Sequence, residues 1–245
     1  MDRCWAYTLA FNESTLISYW VRHYKAFCER VTVYVDDATD DGTDVLAHAA
    51  GAYVRYTRTD GLDDEGFVAF ARERYTAARG MADWVVWVDA DEFLYHPAGV
   101  SERLTELGWA GVTRPHVQGY QMVADAPPKG KRPITEQIRR GLPAAEYSKT
   151  CVFDPDLDVA WQPGKHHATV TGSDVRDDGT DPLKLLHYRY LGHDWLVQRN
   201  ARNFARMGEA QKGRRHGAET YPDYTGVYSP AWFAEQAAGA TEVVG

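Results

Sequence analysis

The sequence predicts an α/β fold with a single mixed, Rossmann-like sheet flanked by helices. Short apolar runs alternate with segments of helical periodicity through the first half of the chain, which is the pattern of successive βαβ units. Of the 245 residues, 44% are hydrophobic, so one large α/β domain can form a proper core. We therefore expect one domain over 1–245, with a first half at 1–95, a second half at 96–210 and an aromatic tail at 211–245.

The elements of the first half follow from the spacing of its apolar residues. Strands are predicted in mainly apolar or β-branched runs at 5–11, 31–35, 52–56 and 83–88. Helices are predicted between them at 13–28, 45–50 and 67–79. Strands joined by single helices run parallel, and ligands bind at the carboxyl ends of such strands.

The second half alternates less regularly. We predict helices at 100–107 and 194–207, and a Pro-, Lys- and Gly-rich surface loop at 126–133. Strands are predicted near 110–113 and at 147–153, 166–171 and 183–190. The tail is rich in aromatic residues and turn signals.

Three of the predicted strands end in polar residues. The pairs are Asn12 and Glu13, Asp36 and Asp37, and Asp89 and Asp91. Neighbouring carboxylates disfavour each other's ionised forms unless a cation lies between them, so the Asp-x-Asp cluster indicates a divalent-metal site. A solvated turn explains this cluster equally well when it is taken alone. Three polar ends on one sheet edge favour a binding site, whereas Glu92 alternates away from the pair and is predicted to be a structural anchor.

Composition and motifs exclude several classes of protein. No glycine-rich dinucleotide motif follows the first strand and the P-loop pattern is absent, so a glycine loop does not bind pyrophosphate here. The net charge of −8 disfavours nonspecific nucleic-acid binding. No apolar stretch approaches the roughly 18 to 20 residues of a membrane span, and we expect a cytoplasmic protein. The three cysteines are widely spaced and are expected to be reduced.

These residues resemble a known family. The segments at 11–13, 35–43 and 83–94 are similar to the family 2 group of GT-A glycosyltransferases, and most of all to its short branch with an Asp-x-Asp-Glu-Phe signature. The later Lys149, His166-His167 and His187-Tyr188 also resemble this branch, so the likeness covers roughly residues 5 to 205.

The sequence departs from the family's pattern in two places. Ala38 and Thr39 stand where the family usually has Gly and Ser, which is a mild substitution. The region at 118–146 matches nothing in the family, and this is where acceptor recognition and the catalytic base are expected.

The resemblance implies a GT-A fold and a metal-dependent glycosyltransferase. Such an enzyme would move a sugar from a nucleoside-diphosphate sugar, expected to be a UDP-sugar, to a hydroxyl of a small-molecule or glycan acceptor, with inversion. Residues 1–95 would bind the nucleotide sugar, and residues 96–210 would face the acceptor. Mn²⁺ or Mg²⁺ between the phosphates would stabilise the departing diphosphate as a Lewis acid.

The resemblance also implies metal-binding roles for individual residues. Asp91 would bind the metal directly, and Asp89 would face the ribose or a metal-bound water. His187 matches the position of a late metal or phosphate ligand. His167 is a further candidate, because neighbouring residues of a strand point to opposite faces and only one of His166 and His167 can face the cleft.

Other residues are implied to bind the donor. Asp36 or Asp37 would accept a hydrogen bond from the base, and the backbone from Ala10 to Asn12 would line the nucleoside pocket. Glu13 belongs to the same donor-binding set, and Lys149 would meet the charge of the diphosphate.

Two carboxylates are candidates for the base that deprotonates the acceptor hydroxyl. Glu146, shortly before Lys149, is the preferred candidate, and Asp194, at the start of the late helix, is the alternative. Either could instead be a loop acid or a helix cap.

Two other functions remain open. A nucleotidyltransferase also binds nucleoside phosphate and metal on an α/β sheet, but such enzymes usually carry a glycine-rich loop with a basic residue after the first strand, which residues 9–13 lack. A catalytically silent nucleotide-sugar-binding module would keep the pocket, although the intact Asp-x-Asp argues against it.

Overall fold

Strands form the frame of the protein. The structure is a computed structural model that describes residues 3–59, 61, 63–172, 174–207 and 228–245. In chain order, the described strands are β1 (Cys4–Ala10), β2 (Arg30–Asp36), β3 (Tyr53–Thr57), β4 (Trp84–Trp87), β5 (Glu92–Tyr95), β6 (Arg114–Ala124), β7 (Arg140–Pro143), β8 (Val152–Phe153), β9 (Asp158–Trp161), β10 (Ala168–Thr171), β11 (Asp177–Leu191) and β12 (Thr241–Glu242).

Helices connect and cover these strands. The described α-helices are α1 (Ile17–Lys25), α2 (Thr43–Ala49), α3 (Asp64–Tyr75), α4 (Val100–Trp109), α5 (Ile134–Gln137), α6 (His193–Arg206) and α7 (Pro230–Gly239). Short 3₁₀ turns occur at Thr76–Ala78 and Ala145–Tyr147. Within the described ranges, no helix has both the length and the apolar character needed to span a membrane.

The central sheet has the strand order β3-β2-β1-β4-β8. Its first four strands are parallel, and β8 joins β4 in the antiparallel direction. The predicted α/β class, with a mixed sheet flanked by helices, is confirmed. Because β1, β2 and β4 run parallel, their carboxyl ends meet at one edge.

Most strands of the second half do not extend the central sheet. Four of them join β5 of the first half in a second five-stranded sheet, with the order β12-β7-β6-β11-β5, and β9 and β10 form a separate hairpin. The strands therefore do not form the single sheet that the sequence predicts. The predicted strand at 183–190 is longer than expected, because β11 pairs with β5 on one side and with β6 on the other. The main core nevertheless spans both sheets, since Ala6 and Val86 belong to the same buried cluster as Leu94 and Leu185.

Several predicted boundaries differ from the structure by a few residues, and three predicted segments differ in their kind of structure. The residues at 110–113 are a turn, because Gly111, with a φ of 73°, follows the end of α4. The predicted strand at 147–153 is reduced to β8, which pairs with β4 through two residue pairs alone. Residues 211–227 of the predicted tail lie outside the described residues. Its described part, 228–245, contains α7, where the Ser229 hydroxyl accepts from the Trp232 amide at 3.1 Å and Pro230 occupies the first turn.

The cysteines are free and buried. The sulfurs of Cys4 and Cys28 lie 3.0 Å apart, which the sequence separation did not suggest. Burial, together with this neighbouring thiol, raises the pKa of Cys28 well above its usual value, so the thiol is protonated at neutral pH.

Candidate functional site

A cavity of about 470 Å³ lies at the carboxyl ends of β1, β2 and β4. Acidic and basic side chains both line it. The acids are Glu13, Asp36, Asp64, Asp89 and Asp91. The basic residues are Lys149, Lys165, Arg189, Arg199 and Arg206.

Asp91 lies at the centre of a buried ion-pair network. Arg199 of α6 donates one guanidinium nitrogen to Asp91 and the other to Glu13, the latter at 2.6 Å. Burial acts to raise the pKa of Asp91, but Arg199 and His187 outweigh it and hold this pKa well below its usual value. For Glu13 burial dominates, and Asp91 adds to it, so the pKa of Glu13 is raised despite Arg199.

His187 is oriented by a buried glutamine. The Nε2 atom of Gln121 donates to backbone carbonyls of Met122 and His187, so its Oε1 is left to accept from His187 Nδ1 at 2.8 Å. This contact directs His187 Nε2 toward Asp91, at 3.0 Å from Oδ2. A proton or a metal ion between the two atoms would satisfy both.

A close backbone approach places an aromatic ring beside His187. The Tyr147 and His187 ring centroids are 4.0 Å apart. Tyr147 belongs to the 3₁₀ turn that packs on β6 at Gly119, where an added Cβ would lie 2.4 Å from the Tyr147 carbonyl carbon. Gly119 therefore allows the turn to reach the site.

Asp89 and Asp91 have different partners. Asp89 pairs with Lys165 and is 4.0 Å from Lys149, whose Nζ lies 2.6 Å from Glu92. Burial acts to raise the pKa of Asp89, but Lys165 and Lys149 lower it below its usual value. The side chain of Asp89 is still 43% exposed, so this end of the Asp-x-Asp cluster faces the open cavity.

Asp36 defines the other end of the cavity. Its Oδ1 accepts from the Ala38 amide at 2.8 Å, and its Oδ2 accepts from Thr59 and from Arg206, the latter at 2.7 Å. Burial acts to raise the pKa of Asp36, but these three donors together lower it. The guanidinium carbon of Arg206 lies 3.4 Å from the Phe11 ring centroid.

The structure brings together many of the residues that the sequence proposed. Those that line the cavity are Ala10, Glu13, Asp36, Asp89, Asp91, Lys149 and His187. Asp36 faces the cavity, whereas Asp37 is exposed and does not line it. Asn12 does not line it either, because its amide nitrogen donates to Asp40 at 2.8 Å and its oxygen accepts from the Asp40 amide.

The choice between the two neighbouring histidines needs correction. His167 was the candidate ligand, but it is exposed and does not line the cavity. His166 lines the cavity instead, and its Nδ1 is 2.7 Å from the Glu146 carbonyl oxygen. The turn between β9 and β10 sets which of the two faces inward.

Neither candidate base has its carboxylate in the cavity. Glu146 is exposed and contributes its backbone carbonyl to His166. Asp194 is 94% exposed at the start of α6, where its partner is His193 at 3.3 Å. Its place before the Lys149 strand favours Glu146, and its place at the start of the late helix favours Asp194. Both side chains are exposed, however, and neither lines the cavity.

Sequence reasoning missed four cations that line the cavity, namely Lys165, Arg189, Arg199 and Arg206. Arg199 and Arg206 are seven positions apart, two helical turns, and so lie on the same face of α6; this spacing was a usable signal. Lys165 follows Gly164 in the β9–β10 turn with a φ of 59°, and nothing local pointed it toward Asp89.

The donor atoms suit a metal ion only in part. Within the ranges that the structure describes, no group of three His, Cys, Asp or Glu side chains could hold one. Asp91 and His187 supply two adjacent donors, and Mg²⁺ in particular is often bound by one or two carboxylates together with substrate phosphates. A histidine that binds a metal through one ring nitrogen typically donates the other to a fixed acceptor, as His187 Nδ1 does to Gln121 Oε1. These residues therefore fit an ion whose coordination a diphosphate completes.

No family model and no curated protein matches the sequence. A solved 4-diphosphocytidyl-2C-methyl-D-erythritol synthase from Anaerococcus prevotii is similar to 63% of this chain and 70% of its own, at 10% identity and a TM-score of 0.35. A second structure of a synthase of this name covers 63% and 76%, at 16% identity and a TM-score of 0.34. Likenesses this weak say nothing about the activity of this chain.

Proposed function

We propose that this protein is a metal-dependent glycosyltransferase that uses a nucleoside-diphosphate sugar, with UDP as the expected nucleotide. The observation that carries the proposal is the division of one cavity into two ends. Asp36 and Phe11 offer a carboxylate and an aromatic ring suited to a nucleoside. Asp89, Asp91 and His187 lie at the other end with buried cations.

The charged end suits a departing diphosphate. Lys165 and Lys149 lie beside Asp89, where they would meet phosphate oxygens as charge develops on the leaving group. Asp91 and His187 would hold Mn²⁺ or Mg²⁺, which supplies Lewis-acid stabilisation of the diphosphate. Arg199 would keep Asp91 ionised and in position for this ion.

We assign the acceptor-side base to His166. Burial lowers the pKa of its imidazole, so the ring is neutral at pH 7. Its Nδ1–H donates to the Glu146 carbonyl, which leaves Nε2 as the proton-accepting atom. Oriented this way, Nε2 would take the proton of the acceptor hydroxyl as it attacks.

A nucleotidyltransferase is the second candidate. Five basic side chains line the cavity, and such a number suits a triphosphate. Against this, the residues that follow β1 carry neither a glycine nor a basic side chain.

One assay separates these reactions. Wild type would be incubated with UDP- and GDP-sugars and Mn²⁺, where water takes the sugar in place of the acceptor and release of nucleoside diphosphate is the readout. It would also be incubated with nucleoside triphosphates, where water takes the nucleotidyl group and release of pyrophosphate is the readout. We expect diphosphate release, and its loss in Asp91→Asn but not in the exposed control Asp194→Asn. Turnover that needs no metal, or that persists in Asp91→Asn, would overturn the proposal. Pyrophosphate release would favour the second candidate, and binding without turnover would favour a silent module.

A further inference from the structure

We propose that the guanidinium group of Arg206 occupies the nucleobase subsite and has to leave before the donor binds. This inference rests on the proposed function, because it identifies the subsite with a base. The inference goes beyond that function, because an enzyme that uses a nucleotide sugar does not need an arginine that competes with the base for its subsite.

The geometry of Arg206 is that of a stacked, hydrogen-bonded planar group. Its guanidinium carbon lies 3.4 Å from the centroid of the Phe11 ring. Its Nη2 lies 2.7 Å from Asp36 Oδ2 and 3.1 Å from the Thr59 hydroxyl oxygen. The same planar group therefore stacks on Phe11 and donates to a carboxylate.

A pyrimidine base would use the same two contacts. It is planar, so it stacks on an aromatic ring, and the imide N–H of uracil donates to a carboxylate. Asp36 is suited to this role, because it is 1% exposed and its Oδ1 is held by the Ala38 amide. The carboxylate is thus oriented before any ligand arrives.

Arg206 and a base cannot use these contacts together. At 3.4 Å, no layer fits between the guanidinium and the Phe11 ring, so a base can stack there only after the guanidinium moves. The side chain of Arg206 is 17% exposed, compared with 1% for that of Asp36, so Arg206 is the partner with a path to solvent. Asp36 would then exchange one N–H donor for another.

Competition of this kind lowers the apparent affinity by the fraction of molecules in the open state. If one molecule in about ten is open, removal of the competitor tightens binding about tenfold. A phosphate-binding arginine has the opposite effect, since its removal weakens binding. The direction of the change therefore decides between the two roles.

The test is calorimetric titration of the full chain with UDP, uridine and pyrophosphate. Arg206→Gln removes the guanidinium, and Arg206→Lys keeps the charge beside Asp36 but removes the planar stacking group. Arg72→Gln is the control, because it also removes one positive charge, from an exposed residue of α3 that does not line the cavity. Circular dichroism of each variant checks its fold.

We expect both Arg206 variants to bind UDP and uridine about tenfold more tightly, with pyrophosphate affinity unchanged and Arg72→Gln close to wild type. Weaker or equal binding of uridine by Arg206→Lys would overturn the inference. In that case UDP binding by wild type would leave the proposed function standing. If no protein in the series binds UDP or uridine, both the inference and the nucleotide-based function fall.

Discussion

Lys149 and Glu92 form an ion pair in which Nζ lies 2.6 Å from Oε1 and neither side chain is more than 3% exposed. The other oxygen of Glu92 accepts from the backbone amide of Asp89 at 2.9 Å. Glu92 therefore connects buried Lys149 to the backbone of the Asp-x-Asp turn, and the ion pair stabilises the conformation of this turn. Burial acts to lower the pKa of Lys149, but Glu92 and Asp89 outweigh it and raise this pKa above its usual value.

Lys149→Met should destabilise the protein strongly. The substitution leaves the Glu92 carboxylate buried without a counterion, which costs about 3–5 kcal/mol. Urea denaturation would measure the free energy of unfolding. Glu92→Gln completes a double-mutant cycle, and we expect Lys149→Met with Glu92→Gln to lose less than the sum of the two single changes. Additive losses would show that the pair is not coupled.

Gln121→Leu should weaken binding of the proposed metal. It removes the acceptor that orients His187 Nδ1, and loss of such an outer-shell partner typically lowers metal affinity about 10–100-fold. Titration of Mn²⁺ in the presence of UDP would measure the change. Gln118→Leu, on the same strand, is the control and should bind as wild type does. Equal affinity for Mn²⁺ in the two variants would contradict the assignment of His187 as a metal ligand.

His166→Gln should lower kcat about 10²–10⁴-fold, because the base that accepts the hydroxyl proton is lost. The KM for the donor should change little, since His166 is assigned to the acceptor side. His167→Gln is a closely matched control, because His167 is the adjacent residue but is exposed. Comparable losses in the two variants would contradict the assignment.

His23 should make stability depend on pH in mildly acidic solution. Burial lowers the pKa of His23 from 6.5 to about 4, although its Nε2–H donates to the Leu94 carbonyl at 2.8 Å. Between these two values the unfolded chain binds a proton that the folded protein does not. The free energy of unfolding should therefore fall as the pH drops through this window, by about 3 kcal/mol.

His23→Gln keeps a donor for the Leu94 carbonyl and should flatten this dependence. The exposed His48→Gln, on α2, should leave it unchanged. Urea denaturation at several values between pH 4 and 7 gives the slopes. An unchanged slope in His23→Gln would assign the dependence to other groups.

Gly119→Ala should disturb the site through the backbone. The new methyl group would lie 2.4 Å from the Tyr147 carbonyl carbon and 2.5 Å from the Ala144 oxygen, so the 3₁₀ turn has to shift. We expect a loss of about 1–3 kcal/mol in stability together with reduced turnover. Gly179→Ala, where no atom lies within 4 Å, should be neutral in both measurements. Full activity in Gly119→Ala would mean that the position of Tyr147 is not critical.

The sequence by itself determined the α/β class and the edge on which the cavity lies. Apolar runs and helical periodicity are local signals that can be read from the sequence. The carboxyl ends of parallel strands all lie at the same edge of the sheet, so polar residues that follow such strands lie at that edge. Asp36, Asp89 and Asp91 could therefore be placed together without coordinates. The environment of each carboxylate could not be predicted, because its pKa and its exposure depend on partners from elsewhere in the chain.

The tertiary structure alone decided which of two neighbours faces inward and which charges meet. Asp36 and Asp37, like His166 and His167, are adjacent in sequence, and the local path of the backbone selects one from each pair. Arg206 reaches Asp36 across 170 positions, and Arg199 reaches Asp91 across 108. Ion pairs form wherever the fold brings opposite charges within a few ångströms, and separation along the chain does not specify that distance.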